Sequence, residues 1–151
     1  MKRVFFSVSA FIFLLVLGWF SLFVVKEKDK KEKLLNFQVG SHKFDIEIAD
    51  DILEQSRGLS GRDFLPDNRG MLFVFKDLSV RSFWMAGMKF PLDIIWIKEN
   101  QVVGFSEGLP PASATNVKVY YSPESVDMVL EVNSGLVNKL GISIGDKVRF
   151  D

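Results

Sequence analysis

Apolar and polar residues alternate through much of the chain after residue 33, which predicts a domain built mainly from β-strands. Leu34–Val39 and Phe44–Ala49 alternate on either side of Gly40-Ser41, a pattern typical of a β-hairpin. The other predicted segments are the continuously apolar strand Met71–Phe75, the strands Ser82–Ala86, Asp93–Val103 (with a bend at residues 99–101), Asp127–Asn133 and Lys147–Phe150, and a long loop at residues 108–122.

Two short helices are predicted between these strands. Asp51 is a favourable N-cap and Gly58 is a residue at which helices commonly end, so the first helix covers Ile52–Arg57. The second is predicted over Ser134–Leu140. The pattern therefore predicts an α+β domain at residues 34–151, with a small, mostly antiparallel β-barrel or a strongly bent sheet and two short helices.

The apolar run Val4–Val25 is long enough to cross a membrane, because a helix of this length spans about 33 Å and a bilayer core is about 30 Å thick. A cleaved signal peptide is the alternative, but its apolar core would be shorter and would end in small residues. We expect one N-terminal transmembrane helix as an anchor at residues 1–25, a charged linker at residues 26–33, and the membrane as a partner through residues 4–25.

Charge differs between the two parts of the chain, although the formal net charge is zero. Residues 1–33 carry 7 basic and 3 acidic side chains, whereas residues 34–151 carry 12 basic and 16 acidic ones. Basic residues lie on both sides of the apolar run, and the positive-inside rule taken literally favours a cytoplasmic domain. An anchor with a basic start more often exports the domain behind it, so we expect an extracytoplasmic domain. Its net charge of −4 predicts no nucleic-acid partner.

Several uncommon residue types recur in a fixed order along the domain and carry a family resemblance. These residues are Arg57-Gly58-Leu59, Arg62, Leu65-Pro66, Arg69-Gly70-Met71-Leu72-Phe73, Phe83-Trp84-Met85, Met88 and Pro91-Leu92-Asp93, then Leu130-Glu131-Val132-Asn133, Gly135 and Gly145-Asp146. The pattern resembles the signature of the uncharacterised DUF 192 (UPF 0127) family over residues 34–150. The resemblance implies a small β-rich fold that often follows an N-terminal signal or anchor, and it implies no reaction, ligand or cofactor.

Three arginines in this signature, Arg57, Arg62 and Arg69, are candidate ligands for an anion, because a guanidinium group fits a carboxylate or phosphate with two hydrogen bonds. The competing interpretation is that they form structural ion pairs with Asp93 and Glu131. Each of these acids lies in an apolar strand sequence and, if buried, must be paired or hydrogen-bonded. Two carboxylates in one apolar pocket can also act as acid and base.

Trp84, Met85 and Met88 belong to an unusual aromatic and methionine-rich run. Ordinary core packing is the simplest interpretation, because methionine fills irregular gaps. A pocket for an organic ligand is the second, and a cuprous-ion site that includes Met71 is the third. The chain has no cysteine and one histidine, His42, so the sequence predicts neither a metal site of the common kind nor a cofactor.

Gly104-Phe105-Ser106-Glu107-Gly108 matches the G-x-S-x-G pattern of serine hydrolases. That pattern is catalytic only on a strand–turn–helix elbow, with a histidine later in the chain. Here Leu109-Pro110-Pro111 follow, which cannot begin that helix, and the histidine precedes the serine, so we interpret the match as chance.

Three functions are compatible with these patterns. The one that we favour is a membrane-anchored, extracytoplasmic domain that binds a small anionic ligand or a partner at Trp84, Met85 and Met88 with help from the arginines. The alternatives are a hydrolase or lyase that uses Asp93 and Glu131, and a structural accessory protein with no small-molecule site. Binding is favoured because the sequence contains no nucleophile–base pair, metal-ligand set or cofactor motif.

Overall fold

Nine strands and two short helices make up the part of the chain that the computed structural model describes, residues 34–113, 115 and 117–151. The predicted mostly β architecture with two short helices is confirmed. The predicted anchor and linker lie outside the described residues. Neither of the two described helices has the length and apolar character of a membrane-spanning segment. The elements are β1 (Leu35–Val39), β2 (His42–Ala49), α1 (Ile52–Arg57), β3 (Arg69–Ser79), β4 (Ser82–Trp84), β5 (Leu92–Lys98), β6 (Gln101–Leu109), β7 (Val119–Tyr121), β8 (Val126–Asn133), α2 (Leu136–Leu140) and β9 (Val148–Phe150).

Seven of these strands form one sheet in the order β6-β5-β8-β3-β2-β1-β9, and β4 pairs with β7 in a separate two-stranded ribbon. Neighbours in the larger sheet are antiparallel except β2 and β3, which are parallel. A parallel pair needs a crossover connection that passes over one face of the sheet, and α1 lies in that connection. The sequence order β2–α1–β3 therefore places α1 over a face of the sheet.

The larger sheet curls until its two edges meet at one end. Gln101 at the start of β6 forms a bridge with Lys147, which precedes β9. The Val102 N–H donates to the Asp146 carbonyl at 2.9 Å, and the Val148 N–H donates to the Asn100 carbonyl at 2.9 Å. These contacts close one end of the sheet, so the domain is a partly closed barrel.

Alternation along the strands gives the curled sheet two separate apolar faces. The inner face collects side chains from every strand of the barrel together with Leu136 and Val137 of α2, which indicates that it is the barrel interior. The outer face is covered by Leu59, Leu65 and Met85, which come from the loops around α1 and β4. The inner-face core includes Phe37, Phe44, Ile46, Leu72, Ile95, Ile97, Val102, Leu130, Val132 and Val148, and the outer-face core includes Met71, Phe73, Ile94, Trp96 and Val129.

The region predicted as one bent strand over Asp93–Val103 is a hairpin of β5 and β6. Glu99 and Asn100, with φ of 49° and 67°, form its turn, and two successive residues of positive φ suit a tight hairpin turn. The second strand runs on through Gly104–Gly108, so the G-x-S-x-G pattern lies in a strand. Ser106 Oγ accepts a hydrogen bond from Trp96 Nε1 at 3.2 Å, which indicates a structural use of that serine.

Two other segments differ from the sequence prediction. Residues 108–122, predicted as a loop, contain β7, because Val119–Tyr121 pair with Ser82–Trp84. The second helix begins at Leu136 rather than Ser134, and its N-cap is Gly135, which has no side chain with which to cap it. A strand of three residues is too short to give a periodic pattern, which explains why β7 was not predicted.

Candidate functional site

A cleft of about 340 Å³ lies on the outer face of the barrel. One wall is α1 and the turn that follows it, and the other is the segment from Phe75 to Trp84, which contains the end of β3, the turn after it and β4. Phe73 of β3 and Glu131 of β8 are buried lining residues and form the floor. Ile52, Val80 and Trp84 are exposed lining residues, so they surround the mouth.

The wall formed by α1 is fixed by local hydrogen bonds. Asp51 caps the helix by accepting the Glu54 N–H at 2.8 Å, as predicted, and the helix ends where the Gly58 N–H donates to the Glu54 carbonyl at 2.8 Å. The Gln55 side-chain amide donates to the carbonyls of Ala49 at 3.3 Å and Val74 at 2.9 Å, which attaches α1 to the sheet. Arg57 is consequently presented at the mouth of the cleft, where it is exposed.

Glu131 is the most unusual group in the cleft. It is 5% exposed, and its Oε2 atom is buried with no hydrogen-bond partner. Burial raises the pKa of Glu131 from 4.5 to about 8, because the charged carboxylate would lose its hydration. The floor of the cleft therefore holds a carboxyl group that is mainly neutral at pH 7.

Arg81 lies on the opposite wall and was not singled out in the sequence. Its guanidinium group stacks over the Phe75 ring at 4.0 Å and donates to the Asp77 carbonyl at 2.5 Å and to Asp77 Oδ1 at 3.0 Å. Its Nε atom is buried with no hydrogen-bond partner. Among the described residues, two buried side-chain polar atoms have no hydrogen-bond partner: Arg81 Nε and Glu131 Oε2. Both residues line the cleft.

An aromatic cluster supports the cleft. Phe83 packs edge-to-face against Phe73 at 4.9 Å and against Trp96 at 5.7 Å, so its ring is held from two sides. Trp84, the next residue in β4, alternates to the outside and is 54% exposed. Met88 completes this wall. The cleft thus combines a rigid aromatic wall with a largely exposed indole ring at its mouth.

Four of the eight candidate residues meet at this cleft: Arg57, Trp84, Met88 and Glu131. The other four lie elsewhere: Arg62, Arg69, Met85 and Asp93 are not among its lining residues. The sequence signal that was available for Arg81 is its position just before the Phe83-Trp84 run, but a single arginine in a turn between two strands carries no pattern that marks it.

Arg62 forms an ion pair, but with an acid that the sequence did not indicate. Both of its terminal nitrogens donate to the two carboxylate oxygens of Glu47, each at 2.5 Å. Glu47 lies on β2 and is 8% exposed. The pairing is a bidentate structural bridge, which agrees in kind with the ion-pair interpretation but not with its expected partners, Asp93 and Glu131.

Arg69 and Met85 have positions in the framework of the domain. Arg69 begins β3, where it is paired in register with Asp45 of β2, and its N–H donates to the Pro66 carbonyl at 3.0 Å. Met85 is buried in the outer-face core, and its carbonyl accepts the N–H of Met88 at 3.3 Å and of Ala112 at 3.0 Å. Met85 thus holds the loop that presents Met88.

Asp93 lies on the opposite face of the sheet from Glu131, so the two carboxyl groups cannot act as an acid–base pair. Antiparallel pairing places Asp93 opposite Val132 and Ile94 opposite Glu131, and side chains of paired residues share a face. Asp93 therefore points to the inner face and Glu131 to the outer face. Asp93 is fully buried and accepts the N–H of Gly108 at 2.8 Å and of Val137 at 3.1 Å. The predicted acid–base pair of Asp93 and Glu131 is not formed.

Metal ligands of the usual kind do not gather anywhere in the described part of the chain: it contains no group of three or more histidine, cysteine, aspartate or glutamate side chains suited to hold an ion. Of the three methionines considered for cuprous ion, Met71 and Met85 are buried in the outer-face core and Met88 lines the cleft.

Comparison with known proteins identifies the family. Residues 35–150 match the DUF192 family model, described as an uncharacterized ACR. A solved structure from Novosphingobium aromaticivorans, a protein of unknown function, is 30% identical with a TM-score of 0.74 and covers 81% of this chain and 89% of its own. Another, from Sinorhizobium meliloti and proposed to be a transcription regulator, is 28% identical with a TM-score of 0.73 and covers 79% and 95%. No curated protein matches the sequence. The chain belongs to the DUF192 family.

Proposed function

We propose that the outer-face cleft binds a small organic molecule with an anionic group and an apolar body. The observation that carries this proposal is the pair of buried, unpartnered polar atoms, Glu131 Oε2 and Arg81 Nε, in residues that line one cleft. Buried polar atoms are normally hydrogen-bonded, and leaving one without a partner costs about 1–3 kcal/mol. A ligand that supplies the missing partners would recover that cost.

The anionic group is expected to lie near Arg57. Its guanidinium group is exposed at the mouth, and none of the hydrogen bonds and ion pairs among the described residues uses it. Arg81 adds a second positive charge to the same cleft, although Asp77 compensates it in part. The neutral form of Glu131 does not repel an anion at pH 7.

The apolar body is expected to pack against Trp84, Phe83 and Met88. An exposed indole ring offers a large flat surface at little entropic cost, and the edge-to-face contacts of Phe83 hold the wall behind it in place. A cleft that is already formed in this way does not have to be ordered when the ligand enters.

Binding can be tested with the full chain in detergent, by calorimetry against aromatic and aliphatic carboxylates, phosphate monoesters and the corresponding alcohols. We expect the anions to bind and the alcohols to bind at least tenfold more weakly. Trp84→Ala and Arg57→Met should each weaken binding about tenfold, which corresponds to about 1.4 kcal/mol. Tyr121→Ala and Arg149→Met are matched controls, because both residues are exposed and lie outside the cleft.

Two results would count against a ligand site. If no compound binds at millimolar concentration, the cleft is not a site for small organic anions. If Trp84→Ala and Arg57→Met unfold the protein while the control variants do not, these residues serve the fold, as expected of a structural accessory protein.

The charge of the domain does not favour the role of transcription regulator that is proposed for the Sinorhizobium protein. Residues 34–151 carry 12 basic and 16 acidic side chains, and a surface for DNA requires an excess of basic residues. The hydrolase or lyase alternative is not proposed either, because Asp93 and Glu131 lie on opposite faces of the sheet.

We also propose that the domain is held on the extracytoplasmic side of a membrane by residues 4–25. The support is the length of that apolar run and its basic start at Lys2 and Arg3. An alkaline phosphatase fused after Asp151 should be active in cells, and the fusion should stay in the membrane fraction after a carbonate wash. An inactive fusion would place the domain in the cytoplasm, and release by carbonate would contradict the anchor.

A further inference from the structure

The outer face of the barrel carries two buried acids, Glu47 and Glu131, of which Glu47 forms an ion pair and Glu131 does not. In-register pairing places Glu47, Met71 and Glu131 in one row across β2, β3 and β8, so the two carboxyl groups point to the same side of the sheet. Arg62 neutralises Glu47 through two hydrogen bonds. Glu131 has no such partner, and it is the one that lines the cleft.

The two charged side chains that line the cleft with Glu131 do not provide its missing hydrogen-bond partner. Arg57 lies at the mouth, on the exposed end of α1. The guanidinium group of Arg81 instead donates to Asp77 and stacks on the Phe75 ring. Neither guanidinium group forms a hydrogen bond with Glu131 in the structure, although both line the same cleft.

The space beside Glu131 is kept open by Gly58. A Cβ atom at residue 58 would lie 3.3 Å from Phe73 Cζ and 3.9 Å from Glu131 Oε2, so it would stand directly over the floor. The backbone of Gly58, with φ of 49°, also favours glycine at this position. The acid is therefore adjacent to an aromatic ring and to a small volume that the chain leaves unfilled.

This arrangement suits a cation. A buried carboxylate gains most from a positively charged hydrogen-bond donor, and the faces of aromatic rings attract ammonium groups. Phe73, Phe83 and Trp84 line the cleft around Glu131. An ammonium group at this floor would meet the carboxylate and at least one aromatic ring.

We propose that the ligand of this cleft is a zwitterion, an α-amino acid or a related amino carboxylate, whose ammonium group pairs with Glu131 while its carboxylate faces Arg57. This inference rests on the proposed binding of an organic anion in the cleft and adds the second charged group of the ligand. The raised pKa of Glu131 agrees with it, because the carboxylate is stabilised only when a cation arrives. Binding then displaces the proton from Glu131.

Matched pairs of compounds isolate the contribution of the ammonium group. Hexanoate and norleucine, phenylpropanoate and phenylalanine, and indolepropanoate and tryptophan differ only in the amino group. For at least one pair, calorimetry with the full chain should show the amino acid binding at least tenfold more tightly than the acid. Repeating the titration at pH 7 in two buffers of different ionisation enthalpy should reveal release of close to one proton.

In the variant Glu131→Gln the amino acid should lose its advantage, so that the amino acid and the plain acid of each pair bind with affinities within about twofold of each other. Glu107→Gln is the matched control, because Glu107 is an exposed acid on β6 that does not line the cleft. It should keep the full advantage.

The pH dependence gives a further readout. Arg57 and Arg81 are the other charged side chains that line the cleft beside Glu131. Between pH 6 and pH 8 the amino acid should therefore bind more tightly as Glu131 loses its proton, whereas the plain acid should bind more weakly.

The possible outcomes distinguish failure of the zwitterion inference from failure of the proposed anion site. If the acids bind as tightly as the amino acids, or if Glu131→Gln leaves the difference intact, the zwitterion inference is wrong but the anion site stands. If no member of any pair binds, the proposed function itself fails.

Discussion

Glu131→Gln is expected to stabilise the folded protein at pH 9 and to change its stability little at pH 4.5. The reason is the unpartnered burial of the carboxyl group, which raises the pKa of Glu131 to about 8. Glutamine has nearly the same shape but no charge to desolvate, so the penalty for burying a carboxylate disappears.

The sign follows from proton binding. The unfolded chain releases the proton of Glu131 near pH 4.5, whereas the folded protein keeps it until about pH 8. Between these values the folded state binds more protons, so the stability of the wild-type protein falls as the pH rises. The loss is absent below pH 4.5 and complete above pH 8, and it amounts to about 5 kcal/mol at about 1.4 kcal/mol for each pKa unit.

Thermal unfolding of the full chain in detergent, followed by tryptophan fluorescence from pH 4.5 to pH 9, measures this effect. The curves of wild type and Glu131→Gln should coincide at acidic pH and separate as the pH rises. Glu47→Gln is the informative control, since it removes the carboxylate that pairs with Arg62 and should destabilise the protein at neutral pH. Parallel pH curves for wild type and Glu131→Gln would contradict the unusual burial of Glu131.

The second large effect is expected at Asp93. Asp93→Asn should destabilise the protein by about 3 kcal/mol, because one of the two backbone N–H donors, of Gly108 or Val137, would then face an amide N–H group instead of an acceptor. Val137 lies in the first turn of α2, whose N-cap Gly135 has no side chain. Asp93 therefore acts as the capping group of that helix from a neighbouring strand.

Asp127→Asn provides the comparison for this variant. Asp127 also accepts one backbone N–H, from Glu99 at 3.0 Å, but at an exposed site where water can replace it. Thermal unfolding should show a large loss of stability for Asp93→Asn and a loss below about 1 kcal/mol for Asp127→Asn. Amide hydrogen exchange at Gly108 and Val137 should also accelerate in Asp93→Asn. A stable Asp93→Asn protein that has lost ligand binding would instead indicate a role for Asp93 in the site.

Local patterns were sufficient for much of the fold. The hairpin around Gly40, the helix over Ile52–Arg57 and the strand that ends at Asn133 were predicted from alternation, capping and turn residues, all of which act over a few neighbours. At Glu99 and Asn100 the sequence predicts a bend rather than a hairpin turn, because neither residue is a glycine that would mark positive φ.

The site was harder to predict because it depends on register between distant strands. Alternation shows which residues of β8 share a face with Glu131, and which residues of β5 share a face with Asp93. Only the pairing of β5 with β8 shows that the two acids point to opposite faces of the sheet. The partner of Arg62 is equally non-local, because Glu47 lies on β2 and no local sequence pattern links the two residues. Arg81 was overlooked because its role arises from stacking on Phe75 across a turn.

The two apolar faces of the barrel have a consequence for how members of this family diverge. Apart from Glu131, the residues that line the cleft lie between Ile52 and Met88, on the outer face, whereas the inner-face core draws on strands from both ends of the domain. Substitutions at sites that share no contacts have nearly additive effects on stability. Substitutions in the cleft can therefore change its shape and charge without repacking the barrel interior, so relatives that share this fold can differ in the cleft while keeping the same core.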